Sequence, residues 1–196
     1  MSGMPATARP RLAVMISGGG RTLLNLLKHT RSGSLGAEIA LVIASSECPG
    51  AEKARDAGLR TLVVPGRISA ANLESLLREH RVDWVVLAGY LKLVSVPDSF
   101  AGRIVNIHPA LLPRHGGPGL YGHRVHEAVL KAGDKVSGCT VHLCDQHYDT
   151  GPIILQREVP VLKGDTPETL ASRVFEAECS AYPEALQRLL SGRGHG

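Results

Sequence analysis

Asn106 and His108, in the stretch "RIVNIHPALLP" (Arg103 to Pro113), are the first residues in the chain whose types and spacing could do chemistry. On a strand, residues i and i+2 face the same way, so the amide and the imidazole would point to one side. Pro109 fixes its own φ and pushes His108 towards an extended backbone. An amide there can donate to a developing oxyanion. An imidazole beside it can donate a second hydrogen bond or move a proton near neutral pH. Asp149, in "HYDTGPII", is the candidate third member. Its Asp-Thr-Gly-Pro run reads either as an Asx-turn carboxylate or as a carboxylate that orients the imidazole. His142, in "CTVHL", either supports this group or packs, because it alternates with Thr140 and Cys144.

A second constellation is "SGGGRTLLN", Ser17 to Asn25. Glycines at a strand-to-helix turn leave backbone N–H groups free to hold a phosphate, or simply make a tight turn. A Walker A loop would need Gly-Lys-Ser/Thr, and no lysine is present. A dinucleotide fingerprint would need a third glycine where Leu23 stands. A monophosphate therefore fits better than a dinucleotide, with Gly20, Arg21 and Thr22 as contacts.

These residues need a frame. Short apolar runs at Arg11–Ser17, Glu38–Ser45, Thr61–Pro65 and Asp83–Gly89 alternate with helical patterns at Arg21–Thr30, Ala51–Ala57 and Ser69–His80. Strands apolar on both faces and separated by helices predict a doubly wound, mostly parallel α/β sheet. In such sheets ligands bind beyond the carboxyl ends of the strands, at the switch point. After the strand at Arg103–Asn106 and a Pro/Gly-rich loop, a helix is expected at His123–Lys131. Long strands at Ser137–Cys144 and Pro152–Val161 predict an antiparallel or mixed extension in the C-terminal half. A terminal helix starts at Asp165 or Thr166, with Pro183 expected to kink or restart it. The reading is one domain over residues 11–190, with flexible tails at 1–10 and 191–196.

Composition excludes several classes. The net charge of +4 across 196 residues owes much to Arg9, Arg11 and Arg193 in the acid-free tail segments, so the body is near neutral. No basic stripe with interleaved aromatics suggests a nucleic-acid partner. No apolar run reaches the roughly 18 residues of a membrane span, and "MSGMPATARPR" has no apolar signal core. Cys48, Cys139, Cys144 and Cys179 match no zinc spacing, so reduced thiols in a cytoplasmic protein are expected, with no metal.

"VNIHPALLP", "GCTVHLCDQHYDTGPII" and the early "SGGG" before a Leu-rich helix occur in an order and spacing that resembles the formyltetrahydrofolate-dependent formyltransferases. The resemblance covers roughly Arg11 to Leu190 and implies their Rossmann-like fold. It implies Asn106, His108 and Asp149 as the catalytic trio and 10-formyltetrahydrofolate as co-substrate. Chain length and the phosphate loop select the branch that formylates the amine of glycinamide ribonucleotide in purine biosynthesis, without a metal. By the same resemblance Glu178 contacts the ribose, while Leu91, Lys92, Leu93 and Cys144 lie against the folate. A monomer or homodimer is expected. The chain departs from the usual Ser-Gly-x-Gly-Ser-Asn loop at Arg21 and Thr22, and its loop after Pro113 looks longer than the short family version. A hydrolase that deformylates the folate, and a nucleotide-binding module without chemistry, stand as alternatives.

Overall fold

The computed structural model describes residues 9–192; the expected tails fall mostly outside them, at residues 1–8 and 193–196. The strands are β1 (Arg11–Ile16), β2 (Glu38–Ala44), β3 (Thr61–Val63), β4 (Trp84–Leu87), β5 (Ile104–His108), β6 (Val136–Leu143) and β7 (Ile153–Pro160). They form one sheet in the order β3-β2-β1-β4-β5-β6-β7. The pairs from β3 through β5 are parallel, and β6 and β7 join antiparallel. The order reverses between β1 and β4, which is where a doubly wound sheet opens a crevice.

The helices are α1 (Arg21–Ser32), α2 (Pro49–Asp56), α3 (Ala70–Glu79), α4 (His123–Lys131) and α5 (Pro167–Leu190). Alternation along β1 sorts the two cores. Leu12, Val14 and Ile16 pack with α1, α2 and α5, whereas Ala13 and Met15 pack with Leu73 and Leu77 of α3. Ser69 caps α3 by accepting from the Asn72 N–H at 3.2 Å. Thr166 and Thr169 form a reciprocal capping box at the start of α5.

Two local outcomes shape the site. The first is that β5 persists to His108, so Asn106 and His108 do share a face of the strand. Antiparallel register then sets His142 opposite Asn106 and Thr140 opposite His108. Thr140 fastens the loop that leaves β5, donating to the Ala110 carbonyl at 2.7 Å and accepting from the Leu112 N–H at 3.0 Å.

The second concerns Pro183, expected to kink or restart α5: the helix is one continuous element through it, so the restart does not occur. Proline has no N–H, so the carbonyl four residues back, that of Cys179, loses its helical donor. Asn25 on α1 supplies the missing hydrogen bond, Nδ2 to the Cys179 carbonyl at 2.9 Å. One turn away, Tyr182 is fully buried and its hydroxyl sits 2.9 Å and 3.0 Å from the carbonyls of Leu87, the last residue of β4, and Val105 within β5.

Replacing Asn25 by leucine should therefore lower the unfolding free energy by about 1–3 kcal/mol. In a Pro183→Ala background the restored backbone N–H serves Cys179, and the same change should cost about 0.5 kcal/mol or less. Urea titration of the four proteins of the cycle checks this. Equal losses in both backgrounds would refute the substitution of one donor for the other.

Candidate active site

Beyond the carboxyl ends of β1, β4 and β5 lies a cleft of about 450 Å³. Its lining includes Arg21, Thr22, Leu91, Asn106, His108, Asp149 and Glu178, so seven of the residues singled out from the sequence share one cavity. Gly20, Lys92, Leu93 and Cys144 lie outside that lining.

The reacting end is a chain of oriented polar groups. His108 is 4% exposed, and its Nε2 stands 2.8 Å from the His115 carbonyl. A carbonyl only accepts, so Nε2 carries the proton, and in the neutral ring Nδ1 presents its lone pair. That nitrogen lies 3.5 Å from Asp149 Oδ2. His142 Nδ1 likewise donates to the Leu143 carbonyl at 2.8 Å, which leaves its Nε2 to accept from Asn106 Nδ2 at 3.2 Å. The same Asn106 nitrogen reaches Asp149 Oδ1 at 3.5 Å. His142 thus supports Asn106 rather than only packing.

Asp149 occupies a left-handed backbone conformation, φ 57°. Aspartate tolerates that region better than most residues. The Asx-turn role in this loop belongs to Asp145, whose carboxylate accepts from the His147 N–H and the Thr150 hydroxyl at 2.8 Å each. Asp149 is left to turn inward, where Oδ2 also accepts from the Gly117 N–H at 3.0 Å. Burial alone would raise its pKa, but His142, His108 and the Gly117 N–H together outweigh burial and hold the carboxyl below its usual range. Burial pushes His108 the other way, below an ordinary histidine, with Asp149 partly offsetting it. The pair is therefore an ionised carboxylate beside an uncharged imidazole, set to share an incoming proton.

The loop after Pro113 contributes backbone to this network, through the His115 carbonyl and the Gly117 N–H. It is tied to the segment after α4, where Asp134 pairs with Arg114 at 2.6 Å and with His115 at 2.7 Å.

At the far end, α1 begins at Gly20, which lies in the left-handed region at φ 72° and offers no side-chain cap. The first helical bond runs from the Leu24 N–H to the Gly20 carbonyl. The N–H groups of Arg21, Thr22 and Leu23 precede it, which makes this a ready anion site. A Cβ on Gly20 would stand 2.8 Å from Gly50 Cα, so the loop packs directly on the start of α2. The Arg21 guanidinium stacks over Phe175 at 3.7 Å from the ring centre. Close by, burial raises the Glu178 carboxyl to about 7, with Arg21 pulling it partly back.

The folate-side expectations divide. Leu91 is exposed in the cleft, and its N–H donates to the Ser17 hydroxyl at 2.9 Å. The Cys144 backbone N–H is spent on the Ile104 carbonyl, and burial pushes its thiol well up, making it inert. Sequence reasoning missed Phe175, Tyr121, Tyr148 and His126, all of which line the cleft. For His126 a signal existed: with His123 it forms an i, i+3 pair on one helix. Among the described residues no group of His, Cys, Asp or Glu is arranged to hold a metal ion, and no helix is long and apolar enough to cross a membrane.

The family described as Formyl transferase matches residues 10–186. The chain belongs to that family. It is 43% identical to the chloroplastic phosphoribosylglycinamide formyltransferase of Vigna unguiculata, over 94% of this chain and 62% of the relative, so it spans a little under two thirds of that protein's length. The crystal structure of glycinamide ribonucleotide transformylase 1 from Symbiobacterium toebii superposes with a TM-score of 0.87 at 40% identity, covering 94% of this chain and 89% of that one. Phosphoribosylglycinamide formyltransferase from Brucella melitensis gives a TM-score of 0.84 at 41% identity, covering 94% and 97%. The seven-stranded sheet is the formyl transferase fold.

A carboxyl held at about 7 opposes folding above its unfolded value near 4.5 and does so fully above 7. Glu178→Gln should thus raise the melting temperature at pH 8, and the gain should fade as the pH drops from 7 towards 4.5. Thermal scans across that range check the sign; a variant less stable at pH 8 would contradict it.

Proposed function

We propose that the protein transfers the formyl group of 10-formyltetrahydrofolate to the primary amine of glycinamide ribonucleotide, a cytoplasmic step of purine biosynthesis. One observation carries the reading: a single cleft is lined both by Asn106, His108 and Asp149 and by Arg21, Thr22 and Glu178. That combination suits a substrate with an anion at one end and a nucleophile at the other. The names of the relatives support the same choice of substrates.

In this reading the phosphate lies on the start of α1, with Arg21 adding charge, and Glu178 accepts from the ribose hydroxyls. The pterin lies by Leu91. The amine attacks the formyl carbon, and the carbonyl electrons move to oxygen. Asn106 meets that oxyanion by releasing its 3.5 Å contact with Asp149, the weaker of its two bonds. The amine sheds its proton to the Asp149–His108 pair, where a charge on His108 Nδ1 would be matched by the carboxylate 3.5 Å away. The folate nitrogen takes that proton as its bond to carbon breaks, releasing tetrahydrofolate and the formamide.

Release of tetrahydrofolate, followed with and without glycinamide ribonucleotide, tests the reading. Turnover that requires the nucleotide supports it. Equal turnover without the nucleotide would make the protein a folate hydrolase, and a folded protein inactive in both would make it a binding module.

Asn106→Ala should lower kcat on the order of 100- to 1000-fold with little change in either KM, as expected for loss of one oxyanion donor; a near-normal kcat would remove Asn106 from the mechanism. Glu178 gives a second prediction. Ionised, it accepts from hydroxyls, so the KM for the nucleotide should fall as pH rises through about 7. In Glu178→Gln that inflection should vanish from the pH profile.

A further inference from the structure

The proton-sharing network leaves a buried histidine in the cleft without a role. His126 lies on α4, is 4% exposed and lines the cleft. Its Nδ1 is sealed from solvent and has no hydrogen-bond partner. A buried, unpartnered polar atom costs stability, and most are eliminated from folded proteins. Apolar side chains surround this position on its own helix, with Val125 and Val129 both buried. A leucine would satisfy the packing without that penalty.

The surroundings define what the ring can do. Burial, with His123 and His108 adding to it, holds the imidazole down at about 4. It is therefore uncharged, with one N–H and one lone pair. An orphaned buried N–H is the costlier arrangement, so the lone pair belongs on the sealed Nδ1 and the proton on Nε2. Nε2 is the ring nitrogen left open to the cleft. α4 packs against α5, so His126 shares its wall with Ala171, Val174 and Glu178. It is also close enough to His108 for a proton on that ring to disfavour one on its own.

We infer that His126 is a substrate-positioning residue, donating a hydrogen bond from Nε2 to an uncharged oxygen of the amine-bearing nucleotide between its phosphate and its amine. The inference rests on the function proposed above and adds a contact to it. An uncharged donor suits a carbonyl or hydroxyl oxygen, leaving the phosphate to α1 and Arg21. On such a wall it fixes how far the amine arm extends towards His108.

Three proteins test it: wild type, His126→Leu and His126→Gln. Glutamine carries an amide nitrogen at a reach similar to that of Nε2, whereas leucine removes the donor and keeps the bulk. In His126→Leu the KM for glycinamide ribonucleotide should rise about tenfold, the size of one lost hydrogen bond. The KM for the folate should stay within about twofold and the melting temperature should hold or rise. His126→Gln should recover most of the nucleotide KM. An unchanged nucleotide KM in His126→Leu overturns the inference. So does a rise in both KM values with a fall in melting temperature, or a glutamine variant no better than leucine. Calorimetric titration with glycinamide ribonucleotide separates the two levels. If wild type binds the nucleotide without turning it over, the proposed reaction fails, and weaker binding by His126→Leu alone still upholds the contact. If wild type does not bind it at all, the contact falls with the reaction.

Discussion

The hydrogen bond from Asn25 to the carbonyl that Pro183 leaves without a donor fixes much of the rest of the molecule. It joins the helix that begins at the glycine loop to the helix that closes the cleft. From that junction α5 presents Glu178 beside Arg21, and it sends Tyr182 down to the carbonyls of Leu87 and Val105. The start of α1 and the ends of the central strands are thereby referred to one rigid rod. Proline inside a helix usually costs about 3 kcal/mol. Here a side chain from another element satisfies the carbonyl, and the defect becomes a specific docking point.

At the reacting end the organising device is the fixed tautomer. The His115 carbonyl dictates which nitrogen of His108 carries hydrogen, and the Leu143 carbonyl does the same for His142. Those two choices orient Asn106 and leave His108 with its lone pair towards Asp149. None of these groups needs to reorganise before a proton arrives. In the proposed reaction only the weak arm from Asn106 to Asp149 must let go, and at 3.5 Å it gives up little. Such advance orientation is the usual origin of large electrostatic effects on rate.

Where the sequence was informative, the reason was periodicity or a rule of local geometry. Alternating apolar runs located all seven strands, and the i, i+2 rule placed Asn106 and His108 on one face because β5 stays extended to its last residue. Register did the rest for His142, which no local rule could do, since its position opposite Asn106 depends on the pairing of two strands. The nearness of Asp149 to His108 was equally hidden: it depends on a left-handed turn within an irregular loop. At Pro183 local sequence shows the missing N–H and not the donor that replaces it, which reaches the Cys179 carbonyl from 154 residues away. Lys92 and Leu93 lie outside the cleft lining although Leu91 beside them is part of it, and Cys144 is turned into the protein. His126 and Phe175 were visible as residues and unassigned as functions.

The strand order has a consequence for how the molecule is made. Once β3 is laid down, β4 joins the open side of β1, and each later strand pairs with the one synthesised just before it. The sheet therefore grows along a single edge in the direction of translation. From β4 to β6 the growing edge is the newest strand, and the next strand to leave the ribosome covers it, while β3 and finally β7 stay as the two edges of the sheet. Along the growing side, each of β4, β5 and β6 is an open edge only for as long as the next strand takes to follow it. The ligand cleft is finished last, when α5 docks, so co-translational folding can complete the sheet before any part of the chain is competent to bind its substrates.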